Sequence, residues 1–214
     1  MAIKKFFAYL YDTVAKSMKL GDTSGSNYTQ FDANGRLKNI GNAEMWDDII
    51  GHRVSGVNAL TPTLTTVKGN LKEPAFTNNG TDEEFWIFEI MHNTKLNSLV
   101  DLHFHADIAA TANSGNVKML CEYWLCHDGD PIPDGVILPD TKAIVGTNNA
   151  FGVTFIFTTT LDISSLTIGD HIKIRITRDN TVASNLNANV FSVQAGVHRQ
   201  IDGFGSNERL TKNY

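Results

Sequence analysis

Residues 99–108 read LVDLHFHADI. In an extended chain successive side chains point to opposite sides, so Leu102, Phe104, Ala106 and Ile108 share one face and Asp101, His103, His105 and Asp107 the other. One apolar and one polar face sustained over ten residues predict a strand with one side on a core. The same pattern recurs in both directions. FWIFEIM (85–91) is an apolar run of strand composition, and VKMLCEYWLC (117–126) is apolar on both faces, as suits a central strand or one entering an interface. FGVTFIFTTT (151–160) and HIKIRIT (171–177) alternate, the latter directing Ile172, Ile174 and Ile176 inward and His171, Lys173 and Arg175 outward, and VFSVQAGVH (190–198) closes the series. Six or so strands separated by Gly, Asn, Asp and Pro turns, with no strand–helix–strand alternation, predict an all-β protein: an antiparallel, jelly-roll-like β-sandwich. Residues 128–149, with Pro131, Pro133 and Pro139, read as a long surface loop.

The remaining composition agrees with that class. A chain of 214 residues supports one good core plus an appendage, and only 19% of it is charged, while Gly, Asn and Thr are plentiful. A net charge of −5 without any Lys/Arg cluster offers no electrostatic footprint for nucleic acid. No apolar stretch is long enough to span a bilayer, so no membrane partner is expected. Lys4 and Lys5 followed by FFAYLYDTVA imitate a secretion signal, but Tyr9, Tyr11 and Asp12 interrupt the run and none is expected. Cys121 and Cys126 fall in one predicted strand roughly 16 Å apart, beyond disulfide reach, which predicts free thiols and synthesis in a reducing cytoplasm.

N-terminal to the strands the pattern changes. Ile3, Phe6, Phe7, Leu10, Val14 and Met18 recur at three- and four-residue steps, which predicts an amphipathic helix over residues 3–18. No second helix lies nearby in sequence to cover its stripe, so a partner surface or copies of itself are expected to do so, with packing on its own sandwich as the alternative. FDANGRL (31–37) carries an Asn34-Gly35 turn signal for a small hairpin. EMWDDII (44–50) is a short element, and residues 51–83 show little periodicity, as in a segment laid along a partner. Two regions are therefore expected: an N-terminal helix and extended arm over 1–84, and a sandwich over 85–214.

Few constellations suggest chemistry. His103 and His105 stand two apart on one strand and could share a metal, with His171 or His198 as a distant third ligand. In cupins an acid follows the paired histidines, and here Ala109 and Ala110 occupy that place. A polar or subunit-contact face satisfied by hydrogen bonds is the expected alternative, and no metal or cofactor is assigned. Cys126-His127 lacks an evident third group for a thiolate nucleophile, and Asp128-Gly129-Asp130 is broken by Pro131 and Pro133 as a calcium loop. Asp47-Asp48, Glu83-Glu84 and Glu122 are expected to be solvated carboxylates.

Three segments, GRLKNIGNAEMWDDI (35–49), VDLHFHADIAA (100–110) and VFSVQAGVHRQIDGFGSNERLTKNY (190–214), resemble in order and spacing a family of tailed-phage virion proteins. Its members carry a segment ending in Trp-Asp-Asp, a strand with paired histidines around an aromatic residue, and a closing strand with a histidine before a Gly/Ser/Asn-rich tail. The chain departs from that pattern in lacking a tryptophan beside the paired histidines and over residues 128–149. The resemblance implies a jelly-roll domain, a homotrimer, attachment through the N-terminal region and no enzymatic activity. On that footing a capsid decoration or cement protein on the virion exterior is expected, with the major capsid protein as partner. Phe6, Phe7, Leu10, Val14 and Trp46 are the expected capsid contacts, and His103, His105 and Trp124 the expected subunit contacts. A tail or head-fibre adhesin binding host glycans through residues 128–149 is the alternative, and a cupin-like metal protein a third.

Overall fold

The structure is a computed structural model that describes residues 11–12, 17–21, 27–31, 36–40, 45–54, 62–78, 81–146 and 148–201. Its first strands, β1 (Tyr11–Asp12), β2 (Ser17–Gly21), β3 (Tyr28–Phe31) and β4 (Leu37–Ile40), form an antiparallel meander of their own. Eleven strands follow in chain order: β5 (Met45–Ile50), β6 (His52–Val54), β7 (Thr63–Lys68), β8 (Leu71–Phe76), β9 (Glu83–Glu89), β10 (Leu99–Ile108), β11 (Gly115–Cys126), β12 (Val136–Ile144), β13 (Phe151–Asp162), β14 (His171–Arg178) and β15 (Val190–Ile201).

The pairing of the last eight defines the fold. β8 pairs with β15, β9 with β14, β10 with β13 and β11 with β12, all antiparallel, so that the first strand meets the last and each later pair nests inside. Cross-pairing of β10 with β15 and of β11 with β14 gathers these hairpin arms into two sheets, β13-β10-β15-β8 and β12-β11-β14-β9. A long antiparallel ribbon rolled into two facing sheets is a jelly roll. β7 extends the first sheet beyond β8, and β6 extends the second beyond β9. β5 occupies the part of the β15 edge that β8 leaves open: β8 meets Val190 and Phe191, whereas β5 runs along Gly196–Ile201.

The alternation read from the sequence is the burial observed. Leu102, Phe104, Ala106 and Ile108 are at most 1% exposed, and Ile172, Ile174 and Ile176 are fully buried. They meet Phe88, Met119, Phe155, Val190 and Val197 in one core between the sheets. Phe104 lies at its centre, edge-on to Phe76 at 6.1 Å and tilted against Phe155 at 6.4 Å. Cys121 and Cys126 are free and buried on β11, and burial pushes the Cys121 thiol up.

Several expectations are corrected. Most of the helix expected over 3–18, including Phe6, Phe7, Leu10 and Val14, lies outside the residues that can be described. Its described residues, Tyr11–Asp12 and Ser17–Met18, are paired as strands rather than helical. Residues 63–76, expected to be irregular, form a hairpin belonging to the first sheet, and the boundary expected at 84 falls inside β9. β7 is largely solvent-exposed and rich in threonine, so it offers little apolar period to read. The expected loop 128–149 contains the edge strand β12, which tolerates Pro139 as a ladder without an outer neighbour does. The hairpin expected around Asn34-Gly35 is present as β3 and β4, in register Phe31 with Leu37.

Candidate functional site

Three adjacent strands, β10, β15 and β5, bring remote parts of the chain together on the side of the first sheet that faces away from the core. Strand register aligns Asp101, His198 and Asp48 in one cross-strand row. His103, two residues along β10, is opposite Gly196 of β15, which is opposite Ile50 of β5. Without a side chain at 196, the His103 imidazole lies over the β15 backbone toward β5. A Cβ added to Gly196 would stand 2.5 Å from His103 Nε2 and 2.9 Å from Asp48 Oδ1. This glycine is therefore required by close approach rather than by backbone conformation.

Around the buried imidazole the charged groups converge. Asp48 Oδ2 is 3.9 Å from His103 Nε2 and 4.0 Å from His198 Nε2. The His198 Nδ1 is 3.7 Å from Asp101 Oδ2, and the two imidazoles stack at 4.2 Å between centroids. His103 is only 2% exposed, yet neither of its ring nitrogens has a hydrogen-bond partner among the described residues. Within one chain the hydrogen bond expected of that face is made by His105, whose Nδ1 is 3.0 Å from Thr154 Oγ1, and not by His103 among the described residues. Burial above all, with His198 and His105 beside it, lowers the His103 pKa to about 4, against the opposing pull of Asp48 and Asp101.

Two measurable consequences follow. Alanine at 196 must displace a buried ring, which is expected to cost about 1–3 kcal/mol in urea unfolding. Alanine at Gly152, where the nearest atom would be Asp107 Oδ1 at an ordinary 3.4 Å, is expected to stay within about 0.5 kcal/mol. The second concerns acid. An unfolded chain protonates this histidine near its ordinary 6.5, whereas the folded chain does so only at about 4. In that window the unfolded state binds the extra proton, so the His103 contribution is complete above pH 6.5 and is lost as pH falls. The loss is up to about 3 kcal/mol by pH 4. Urea midpoints from pH 7 to pH 4 should show a decline that His103→Gln reduces by about one proton; an unchanged slope would remove His103 as its source.

Asp47, next to Asp48, points to the opposite side of β5 and meets Arg199. That guanidinium is 1% exposed and donates to Asp47 Oδ2 at 2.8 Å, Asn93 Oδ1 at 2.7 Å and Thr94 Oγ1 at 2.6 Å. Burial lowers its pKa from the ordinary value and the Asp47 carboxylate counters that. The Trp-Asp-Asp run thus acts on both faces of the sheet: Asp47 fixes β5 to the 91–94 turn, and Asp48 faces the histidines. Both are solvated, as expected, although each also faces a partner; Glu84 is not, being buried against Ser192 and Arg53. The Glu84 carboxyl is raised above its ordinary value by burial, although Ser192 and Arg53 favour the charged form.

The other expected residues are dispersed. Trp46 is 56% exposed on β5, beside the histidine cluster in sequence register with Gln200. Trp124 lies on β11 in the other sheet, partly buried and opposite Lys173, so it does not share a patch with His103 and His105. His171, also in the second sheet, is likewise remote from the cluster. His127 Nδ1 is 3.0 Å from Asp170 Oδ2, and Asp170 also accepts from the backbone of Asp128 and Thr167. Burial pushes the Asp170 carboxyl up, but these hydrogen bonds outweigh it and hold the group below its ordinary value. They clasp the 127–130 turn to the 163–170 turn. Cys126 donates its thiol to the Trp124 carbonyl at 3.9 Å, and His127 bonds Asp170, so among the described residues no hydrogen bond joins Cys126 to His127. Beside it a cleft of about 580 Å³ is lined by Tyr123, Leu125, His127, Asp130, Asp134 and Ser165 among others.

No protein-family model matches the chain, and no curated protein sequence matches it significantly. Among solved structures, part of the Clostridium thermocellum xylanase 10B CBM22-1–GH10 modules complexed with xylohexaose aligns with 78% of the chain at 10% identity and a TM-score of 0.32. A structure of infectious bursal disease virus aligns with 89% at 12% identity and 0.34, and the tailspike protein 4 of bacteriophage CBA120 with 74% at 10% identity and 0.26. The aligned parts span 27%, 42% and 19% of those chains. Likenesses this distant do not decide what the chain does.

Proposed function

We propose that this chain is a phage virion structural protein without enzymatic activity: a capsid decoration protein that binds the head shell as a homotrimer. The observation that supports it best is the convergence of the three sequence segments resembling tailed-phage virion proteins. Trp46-Asp47-Asp48, His103 and His105, and His198 come from distant thirds of the chain and occupy three neighbouring strands of one sheet. In this reading the region before β5 grips the major capsid protein, with Phe6, Phe7, Leu10 and Val14 as contacts, and the jelly roll faces outward. Trp46 is the described candidate for the same contact, since exposed aromatics tend to anchor such interfaces.

The fold sharpens the test. Removing residues 1–50 would strip β5 from β15 and confound attachment with unfolding, so the deletion should end at residue 44. A chain beginning at Met45 is expected to keep its β-type circular dichroism and to lose incorporation into capsids; a folded truncation that still decorates them would sink the proposal.

A second reading, a glycan-binding adhesin, is favoured by one feature. The cleft beside the 127–135 segment combines an aromatic ring with carboxylates and a hydroxyl, and its volume is within the range of small-ligand sites. Glycan-array binding abolished by Tyr123→Ala would favour it over decoration.

A further inference from the structure

We propose that Asp48, His103 and His198 bind a divalent transition-metal ion of the zinc class, which staples β5 to β10 and β15 on the outer face of the first sheet. The proposal is independent of the virion reading and rests on geometry. The three residues each offer one ligand atom, and these atoms lie within 4.8 Å of one another. A tetrahedral ion bound at about 2.0–2.1 Å from each ligand needs them about 3.4 Å apart. The observed separations of 3.9 and 4.0 Å from Asp48 Oδ2 to the two Nε2 atoms require those two pairs to close by about half an ångström, and the two histidines, within 4.8 Å of each other, to close by at most about 1.4 Å.

Two independent observations point to a ligand. The first is His103 itself: a 98% buried imidazole with both nitrogens unpartnered among the described residues leaves a desolvation cost that no protein group offsets. The second is the support behind His198. Asp101 Oδ2 faces its Nδ1 at 3.7 Å, just beyond hydrogen-bond distance, while its Nε2 faces Asp48 Oδ2 at 4.0 Å. A carboxylate behind a histidine is the usual arrangement for orienting a metal ligand, and a small approach of Asp101 would complete that hydrogen bond. Gly196 supplies the space, as any Cβ there would collide with His103 Nε2 and Asp48 Oδ1.

The donor set identifies the class of ion. Two neutral imidazoles and one carboxylate suit zinc, cobalt or nickel, whereas magnesium and calcium prefer oxygen ligands throughout. Three protein ligands leave a fourth position, and because Asp48 and His198 are 39% and 47% exposed that position opens to solvent. This differs from the expected pairing of His103 with His105: the latter is engaged with Thr154, and its place is taken by a histidine 95 positions after His103 and an aspartate 55 positions before it.

The test uses the full-length chain at pH 7.5, stripped of metal and titrated with zinc chloride alone, with cobalt chloride as a spectroscopic probe. About one zinc ion per chain should be retained after gel filtration. A hundredfold excess over Kd should raise the melting temperature by about 5–10 °C, and magnesium should do neither. His198→Ala and Asp48→Asn, both on partly exposed side chains and so compatible with folding, should each weaken zinc binding at least tenfold. They should also remove the tetrahedral cobalt absorption, while His171→Ala in the other sheet leaves both intact. No stoichiometric zinc in the wild-type chain, or full binding retained by a folded His198→Ala chain, would overturn the proposal.

Discussion

Replacing Arg199 with alanine is expected to destabilise the fold by about 3–5 kcal/mol in urea unfolding, among the largest effects of any single polar substitution. The guanidinium is buried at the end of β15 and joins β5 to the 91–94 turn through Asp47, Asn93 and Thr94. Truncation removes four hydrogen bonds from a charged donor, the fourth to Met91 Sδ, leaves a cavity and takes one donor away from Thr94 Oγ1, which is itself fully buried. Asp47→Ala should cost less, because water can fill the place of a carboxylate that is 45% exposed and accept from Arg199 in its stead, while Asn93 and Thr94 stay as partners. Arg199→Met should lie between the two, since it restores volume but not the donors. If Arg199→Ala were no worse than Asp47→Ala, the network would be a surface ion pair in effect, and β5 would be held by its ladder alone.

Phe104→Ala should cost a similar amount, about 3–5 kcal/mol, by a different route. Phe104 is fully buried and packs against both Phe76 of β8 and Phe155 of β13, two strands that flank the first sheet's centre from opposite sides. Removing the ring opens a void between the sheets that neither neighbour can fill without leaving its own place. Phe104→Leu should recover a substantial part of the loss, as it keeps most of the buried apolar volume. The neighbouring His103→Gln changes the opposite face of the same strand and should add to Phe104→Ala less than independently, since both act through β10. A Phe104→Ala chain with a loss below about 1 kcal/mol would mean that the two sheets do not close on this ring.

Much of the roll was legible in the primary structure because its strands are half-buried, and half-burial imposes a period of two. β10 and β14 are the clearest cases, with alternate residues inside along their whole length. Where burial is asymmetric the period fades. β12 is an edge strand whose side chains are mostly exposed, and its proline reads as a loop residue. β7 and β8 form a hairpin in which Val67 and the Pro74, Ala75 and Phe76 end are buried, so the apolar signal is one residue in β7 and three in β8. The candidate site was half legible. Paired histidines on a strand announce a shared face, and His198 was recognisable as a remote candidate. Asp48 was not, because its position depends on β5 pairing with β15 across some 150 residues, a contact that leaves no local period. Gly196, which makes the approach possible, sits in an otherwise ordinary strand and is recognisable only once the partner strand is in place.

The strands preceding the roll also bear on attachment. β5 is held by both its ladder to β15 and the Arg199 network, so its first residue, Met45, is fixed on the first sheet. In the proposed decoration role, an attachment region tethered at that point would pass load to the core, which suits a protein that remains on a particle. A zinc ion across Asp48, His103 and His198 would reinforce the same junction.

Cryo-electron microscopy of the intact particle tests the proposed role most directly. Threefold density on the head lattice, into which three copies of the roll fit with their N-terminal regions against the shell, is the predicted result. Density confined to the tail tip, or particles whose heads carry no copy of the chain, would contradict it.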